Sequence, residues 1–200
     1  MTLDEFKSVW KKAEEVIASR AEEFSALDAA AGGDGDHGEA IVAATKALAK
    51  AEGTDYKSLL SSMVERLETD VSGSTSSLYG ALFEGMADSV DAGVTELDAK
   101  AIADMFASGL EELSFATKAK VGDKTFMDAL IPAIEALGAH SAEGEEAMFA
   151  AAAAAAKAGS DATAQMQAKF GRARNLGERS IGPIDAGSAS NAAIWACFVK

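Results

Sequence analysis

The sequence predicts an all-α fold, and three observations carry that prediction. Only two prolines interrupt the 200 residues, alanine and other good helix formers dominate, and apolar residues recur at spacings of three and four. The first such run covers 3–30, with Phe6, Val9, Trp10, Ala13, Val16, Ile17, Phe24 and Leu27 in helical register, and reads as one amphipathic helix. A glycine-rich break, AGGDGDHGEA, follows at 31–40. Helices are then expected over 39–51 and 56–68, the latter presenting Leu59, Leu60, Met63, Val64 and Leu67, with EGTD as the turn between them. VSGSTSSLYG, residues 71–80, reads as a helix start whose hydroxyls cap free amides ahead of the apolar run 78–86. Further helices are expected over 98–118, 125–137 and 142–158. Residues 169–191, rich in glycine and cations, read as a long loop before a short apolar helix at 192–199.

Length and 48% hydrophobic content fit one domain, 1–200, with a single core. The net charge of -14 opposes nucleic acid and anionic membrane as partners, and an anionic ligand would need local cations. Cys197 is the sole cysteine, the first residues lack the order of a signal peptide, and no apolar run approaches the roughly 20 residues that span a bilayer. A cytoplasmic location is expected.

Chemistry concentrates in the acidic loop. Gly33, Gly35 and Gly38 match G-x-G-x-x-G, but a helix precedes them and two carboxylates would repel a bare pyrophosphate. Counted as a calcium loop from Asp34, position 12 is Thr45 where a bidentate glutamate is required. Asp34 and Asp36, two apart on a glycine segment, can converge on one hard cation, with Asp28 as a third oxygen donor. Magnesium suits such ligands because it joins carboxylates to substrate phosphates, and the helix start near Glu39 offers amides to an anion. An acidic helix-to-helix turn is the plain alternative.

LDAAAGGDGDHG, SGSTSSLYG, VGDKTFMDAL and GRARNLGERSIG, in that order over about 27–188, resemble the nucleotide-binding subunit or domain of dihydroxyacetone kinases. The resemblance implies a barrel of about eight antiparallel amphipathic helices binding ADP or ATP and two Mg2+ at one end. It assigns the metals to Asp28, Asp34 and Asp36, and the nucleotide to His37, Gly38, Glu39, Ala40, Ser74, Thr75, Thr117, Phe126, Arg172, Asp185, Ala186 and Gly187. Arg172 is the phosphate stabiliser, and Arg179 is a weaker candidate. Three departures accompany it. Five residues, not four, separate Asp28 from Asp34, with the extra glycine at Gly32 or Gly33. Ser72 and Ser76 stand where the family's phosphate loop has other residues, and neither takes positive φ as cheaply as glycine. Ala186 replaces the proline of a D-P-G turn. Asp123 and Lys124 read either as part of the motif or as a solvated turn pair.

In that family the ketose is held covalently on a histidine of a separate subunit or domain, and the helical part presents the phosphate. The chain is therefore expected to act with a ketose-binding kinase subunit, with ATP or a phosphohistidine carrier protein as phosphate source, and possible homodimers. The wording of LDAAAG and VGDKTFMDAL resembles the ATP-dependent fused enzymes. Kinases of erythrulose or other four-carbon ketoses, a fatty-acid-kinase domain, and a non-catalytic adaptor that binds nucleotide to signal to a regulator are the rival readings; His37 disfavours the fatty-acid enzyme.

Overall fold

The computed structural model describes residues 1–200, and helices are its regular elements, apart from one isolated bridge between Thr2 and Glu96. Helix α1 (Leu3–Ser19) starts at a capping box in which Thr2 and Glu5 satisfy each other's backbone amides. The backbone leaves helical geometry at Arg20 (φ -115°, ψ 10°), so α2 (Ala21–Ala30) is a separate helix. The single helix expected over 3–30 is thus two. The Arg20 guanidinium pairs with Glu23 at 2.7 Å and lies 4.9 Å above the centre of the Phe24 ring, which anchors the new direction.

The remaining helices are α3 (His37–Ala49), α4 (Tyr56–Asp70), α5 (Ser74–Asp88), α6 (Ala99–Ala116), α7 (Met127–Ala139), α8 (Glu145–Ala162) and α9 (Ala186–Cys197). Side-chain caps from Asp55, Asp98 and Asp185 open α4, α6 and α9. Short 3-10 segments occupy Ser141–Glu143, Thr163–Gln165 and Arg172–Ser180. The last of these, and the start of α9 at Ala186, correct the expectation of a continuous loop over 169–191. Asp185 accepts the Ser188 amide at 2.7 Å and so nucleates a helix from small polar residues that read as loop.

Beginning with α1 and α3, each helix packs on the next through α9, and α9 returns to α1; these contacts close a ring of eight, while α2 packs against α3 and α9. Enclosed is one hydrophobic core, in which the Phe198 ring lies 4.9 to 6.2 Å from Phe6, Trp10, Phe106, Phe149 and Trp195. No helix is long and apolar enough to cross a membrane. Starts of α3, α5, α7 and α9 meet at one end, and the functional side chains gather there.

Candidate functional site

A cleft of about 400 Å³ opens among those four helix starts. Its lining takes Asp36, His37 and Ala40 from α3, Gly73, Ser74 and Thr75 from α5, Thr125 and Phe126 from α7, and Asp185, Ala186 and Gly187 from α9. Neither α3 nor α5 is capped by its own N-cap side chain: the first amides of α5 are open to an anion, while on α3 the Gly38 amide donates to Ser25 Oγ at 3.2 Å and that of His37 stays open, and the helix dipoles direct partial positive charge into the cleft. The serine-rich segment therefore does not cap itself as expected: Ser76 Oγ instead donates to the Leu67 carbonyl at 2.7 Å. Gly73 takes φ 83°, whereas Ser72 and Ser76 avoid positive φ, so the one glycine retained in the loop sits where a side chain would be strained.

The acidic loop shows how the extra glycine is absorbed. α2 ends in a Schellman motif: the Gly33 amide donates to the Asp28 carbonyl at 2.8 Å and the Gly32 amide to the Ala29 carbonyl at 3.1 Å, with Gly32 at φ 84°. The chain then folds back so that the Gly35 amide donates to Asp28 Oδ2 at 2.8 Å. A Cβ on Gly33 would occupy the space of the Asp28 carboxylate. One carboxylate oxygen each from Asp28, Asp34 and Asp36 lies within 4.8 Å of the other two, Asp28 half-buried and the others exposed. Three hard oxygen donors held this close fit a divalent cation, which removes their mutual repulsion. Arg172 forms an ion pair with Asp34 and thereby borders the same corner.

His37 lies behind the acids, its Nε2 2.9 Å from Ser190 Oγ, and burial pushes its pKa below the usual imidazole value against the pull of Asp28. Across the cleft, Tyr79 and Phe126 form an apolar wall with ring centres 6.0 Å apart. The Tyr79 hydroxyl accepts from Asn191 Nδ2 at 3.1 Å, and burial raises its pKa to about 12. Burial also pushes Asp185 up to about 7; the Ser188 amide opposes this, and Asp128 reinforces it.

A carboxyl that gains proton affinity on folding stabilises the fold while protonated, fully below about pH 4 and no longer above about pH 7. Asparagine preserves the cap but cannot titrate. The melting temperature of the wild type minus that of Asp185→Asn is expected to fall as pH rises through that window; a flat difference from pH 4 to 8 in scanning calorimetry contradicts the assignment.

Most of the expected nucleotide residues therefore share one cleft with all three expected metal ligands, but three do not reach it. Gly38 is buried against the Ala21 carbonyl, Glu39 is exposed outside the lining, and the Thr117 hydroxyl caps the Ala119 amide beyond the end of α6. At Gly38 the missing side chain permits close packing of α2 on α3, a requirement that a motif match cannot separate from ligand contact. Asp123 and Lys124 are 3% and 2% exposed, which excludes the solvated turn pair. Tyr79, Phe170 and Ser190 line the cleft without having been expected. For Tyr79 a signal exists, since it lies four residues after Thr75 on the same face of a helix.

The DAK2 domain model matches residues 31–200. A D-erythrulose kinase of Mycolicibacterium smegmatis is 36% identical over 185 residues, covering 88% of this chain and 31% of that protein. The ADP-binding subunit DhaL of a PEP-dependent dihydroxyacetone kinase from Listeria innocua is 34% identical over 166 residues, covering 80% of this chain and 76% of the subunit. The crystal structure of the dihydroxyacetone kinase from C. freundii in complex with AMP-PNP and Mg2+ shares the fold, with TM-score 0.76 and 23% identity over 96% of this chain and 32% of that one. The chain thus spans about a third of the length of the erythrulose kinase and of the C. freundii enzyme, and most of the Listeria subunit.

Proposed function

The chain belongs to the DAK2 domain family, and on that premise we propose that it is the nucleotide- and magnesium-binding subunit of a kinase whose ketose, dihydroxyacetone or a close relative, is held by a separate subunit. The observation that carries this reading is the convergence of three carboxylates, one arginine and two helix starts with open amides on one cleft with an apolar wall. Asp28, Asp34 and Asp36 are the one group of three or more metal-ligating side chains in this chain whose donor atoms converge.

Each group has a distinct task in this scheme. Asp28, Asp34 and Asp36 hold two magnesium ions, which supply charge neutralisation to the phosphate oxygens when bound. The open amides of α3 and α5 bind phosphate oxygens, while Phe126 and Tyr79 face the base. Arg172 has five N–H donors, enough to hold Asp34 and a phosphate oxygen together, so it spans the cation and anion halves of the site. Nothing on this chain needs to become covalently phosphorylated, because phosphoryl transfer is served by positioning and electrostatics.

The phosphoryl group must leave through the cleft mouth, so the ketose subunit docks there. Exposed Val121 and Phe170 offer apolar contact on segments that also carry Lys118, Lys120, Lys169 and Arg174, a local excess of cations on an acidic molecule. ATP exchange and rephosphorylation of retained ADP by a phosphohistidine carrier both use this site. The 36% identity to an erythrulose kinase makes a four-carbon ketose the second reading.

Mixing the chain with a ketose-binding kinase subunit, ATP and magnesium should yield phosphorylated dihydroxyacetone or erythrulose, detected by mass spectrometry, with neither protein sufficient alone. Tight nucleotide binding without transfer to either sugar, across partners that dock, would instead favour the adaptor reading.

A further inference from the structure

Lys124 is a buried cation that none of the roles above uses. Its backbone is left-handed (φ 59°), the sole residue other than glycine with positive φ, and its side chain lines the cleft floor while being 2% exposed. The ammonium makes no ion pair. It donates to the carbonyls of Thr163 at 2.6 Å and Pro183 at 2.5 Å, on two segments far apart in sequence. Thr163 completes the junction, because its hydroxyl accepts the Asp185 amide at 2.9 Å.

One clamp therefore joins the end of α8, the approach to α9 and the approach to α7. Two residues beyond Lys124 stands Phe126; two residues beyond Pro183 begins the turn Asp185–Gly187. These two ends meet, since a Cβ on Gly187 would lie 3.2 Å from the Phe126 Cβ. Burial lowers the proton affinity of the ammonium, with Asp185 and Asp128 opposing that shift. A desolvated cation held by two carbonyls keeps its geometry more firmly than an exposed one, because breaking either bond leaves a further donor of a buried charge without a partner.

We propose that Lys124 is a positioning residue for the nucleotide, setting the spacing between Phe126 and the Asp185–Gly187 turn so that the wall accepts the adenosine moiety. This rests on the nucleotide reading of the cleft. The metal and phosphate corner stands on other segments, the acidic loop, the starts of α3 and α5, and Arg172, and meets the turn through His37, which hydrogen-bonds the Ala186 backbone. The consequence is selective: loss of Lys124 weakens binding through the nucleoside and spares binding through the phosphates.

The test compares ADP with inorganic pyrophosphate, each titrated calorimetrically in magnesium. Lys124→Gly keeps the left-handed backbone favourable while removing the clamp, and is expected to weaken ADP about tenfold through lost preorganisation with pyrophosphate unchanged. Thr163→Val, a near-isosteric change that removes only the hydroxyl accepting the Asp185 amide, should give the same pattern at about threefold and serves if Lys124→Gly does not fold. Equal loss of both ligands, or loss of neither, overturns the proposal. A wild type that binds pyrophosphate as tightly as ADP overturns it while leaving the phosphate and metal site standing, whereas a wild type that binds neither removes the nucleotide reading itself.

Discussion

Replacing Asp36 with asparagine is expected to weaken ADP binding in magnesium by about 100-fold or more, while leaving the free protein as stable as before or slightly more so. Asp36 occupies the N-cap position of α3 without making a side-chain capping bond, so the change removes no stabilising contact. It does remove one of three carboxylates whose oxygens lie within 4.8 Å of each other, and relief of that repulsion favours the folded state. The two readouts therefore move apart, as expected of a site that accepts electrostatic repulsion in order to hold a cation. If ADP affinity is unchanged in Asp36→Asn, the loop is an acidic turn and not a metal site. If affinity and melting temperature fall together, the residue is structural.

Gly33→Ala is expected to produce the second large effect. A Cβ at position 33 would overlap the Asp28 carboxylate, which must then swing away and give up its bond from the Gly35 amide. Asp28 anchors the fold-back that brings Asp34 and Asp36 into range, so one methyl group disturbs all three ligands. Magnesium tolerates little departure from octahedral geometry, and ADP affinity in magnesium should drop at least tenfold (order of magnitude), with a loss of roughly 1–3 kcal/mol in stability for the crowding. Chemical denaturation and calorimetry read the two quantities separately. Full affinity in Gly33→Ala would show that Asp28 is dispensable as a ligand.

The sequence made the helical class and the main site legible for different reasons. Helices α4, α6 and α7 carry apolar periodicity bounded by turn residues, and their observed limits fall close to those expected. The break at Arg20 was hidden because the spacing of apolar residues continues through Phe24, while the turn depends on a guanidinium that pairs with Glu23 and covers that ring. The start of α9 was hidden because its first residues are small and polar; the aspartate three positions before Ser188 was the available cue.

Within the site, the extra glycine reads in sequence as a perturbation of ligand spacing. The structure turns it into a helix C-cap, an outcome that depends on hydrogen bonds back to Asp28 and Ala29 rather than on residue count. Lys124 shows the limit more sharply. A lysine beside an aspartate in a glycine turn looks solvated, and only the packing of α8 and α9 over it buries the ammonium. Thr117 stands apart from the four motifs, just beyond the end of α6 and outside the cleft lining, with its hydroxyl on the Ala119 amide.

The most direct measurement of the central claim is calorimetric titration of ADP into nucleotide-stripped protein, first with magnesium and then with excess chelator. The account predicts tight binding in magnesium that is lost in chelator, because the phosphates and the three aspartates can share the site only through a cation. Binding that is equally tight in both conditions, or absent from both, would contradict it.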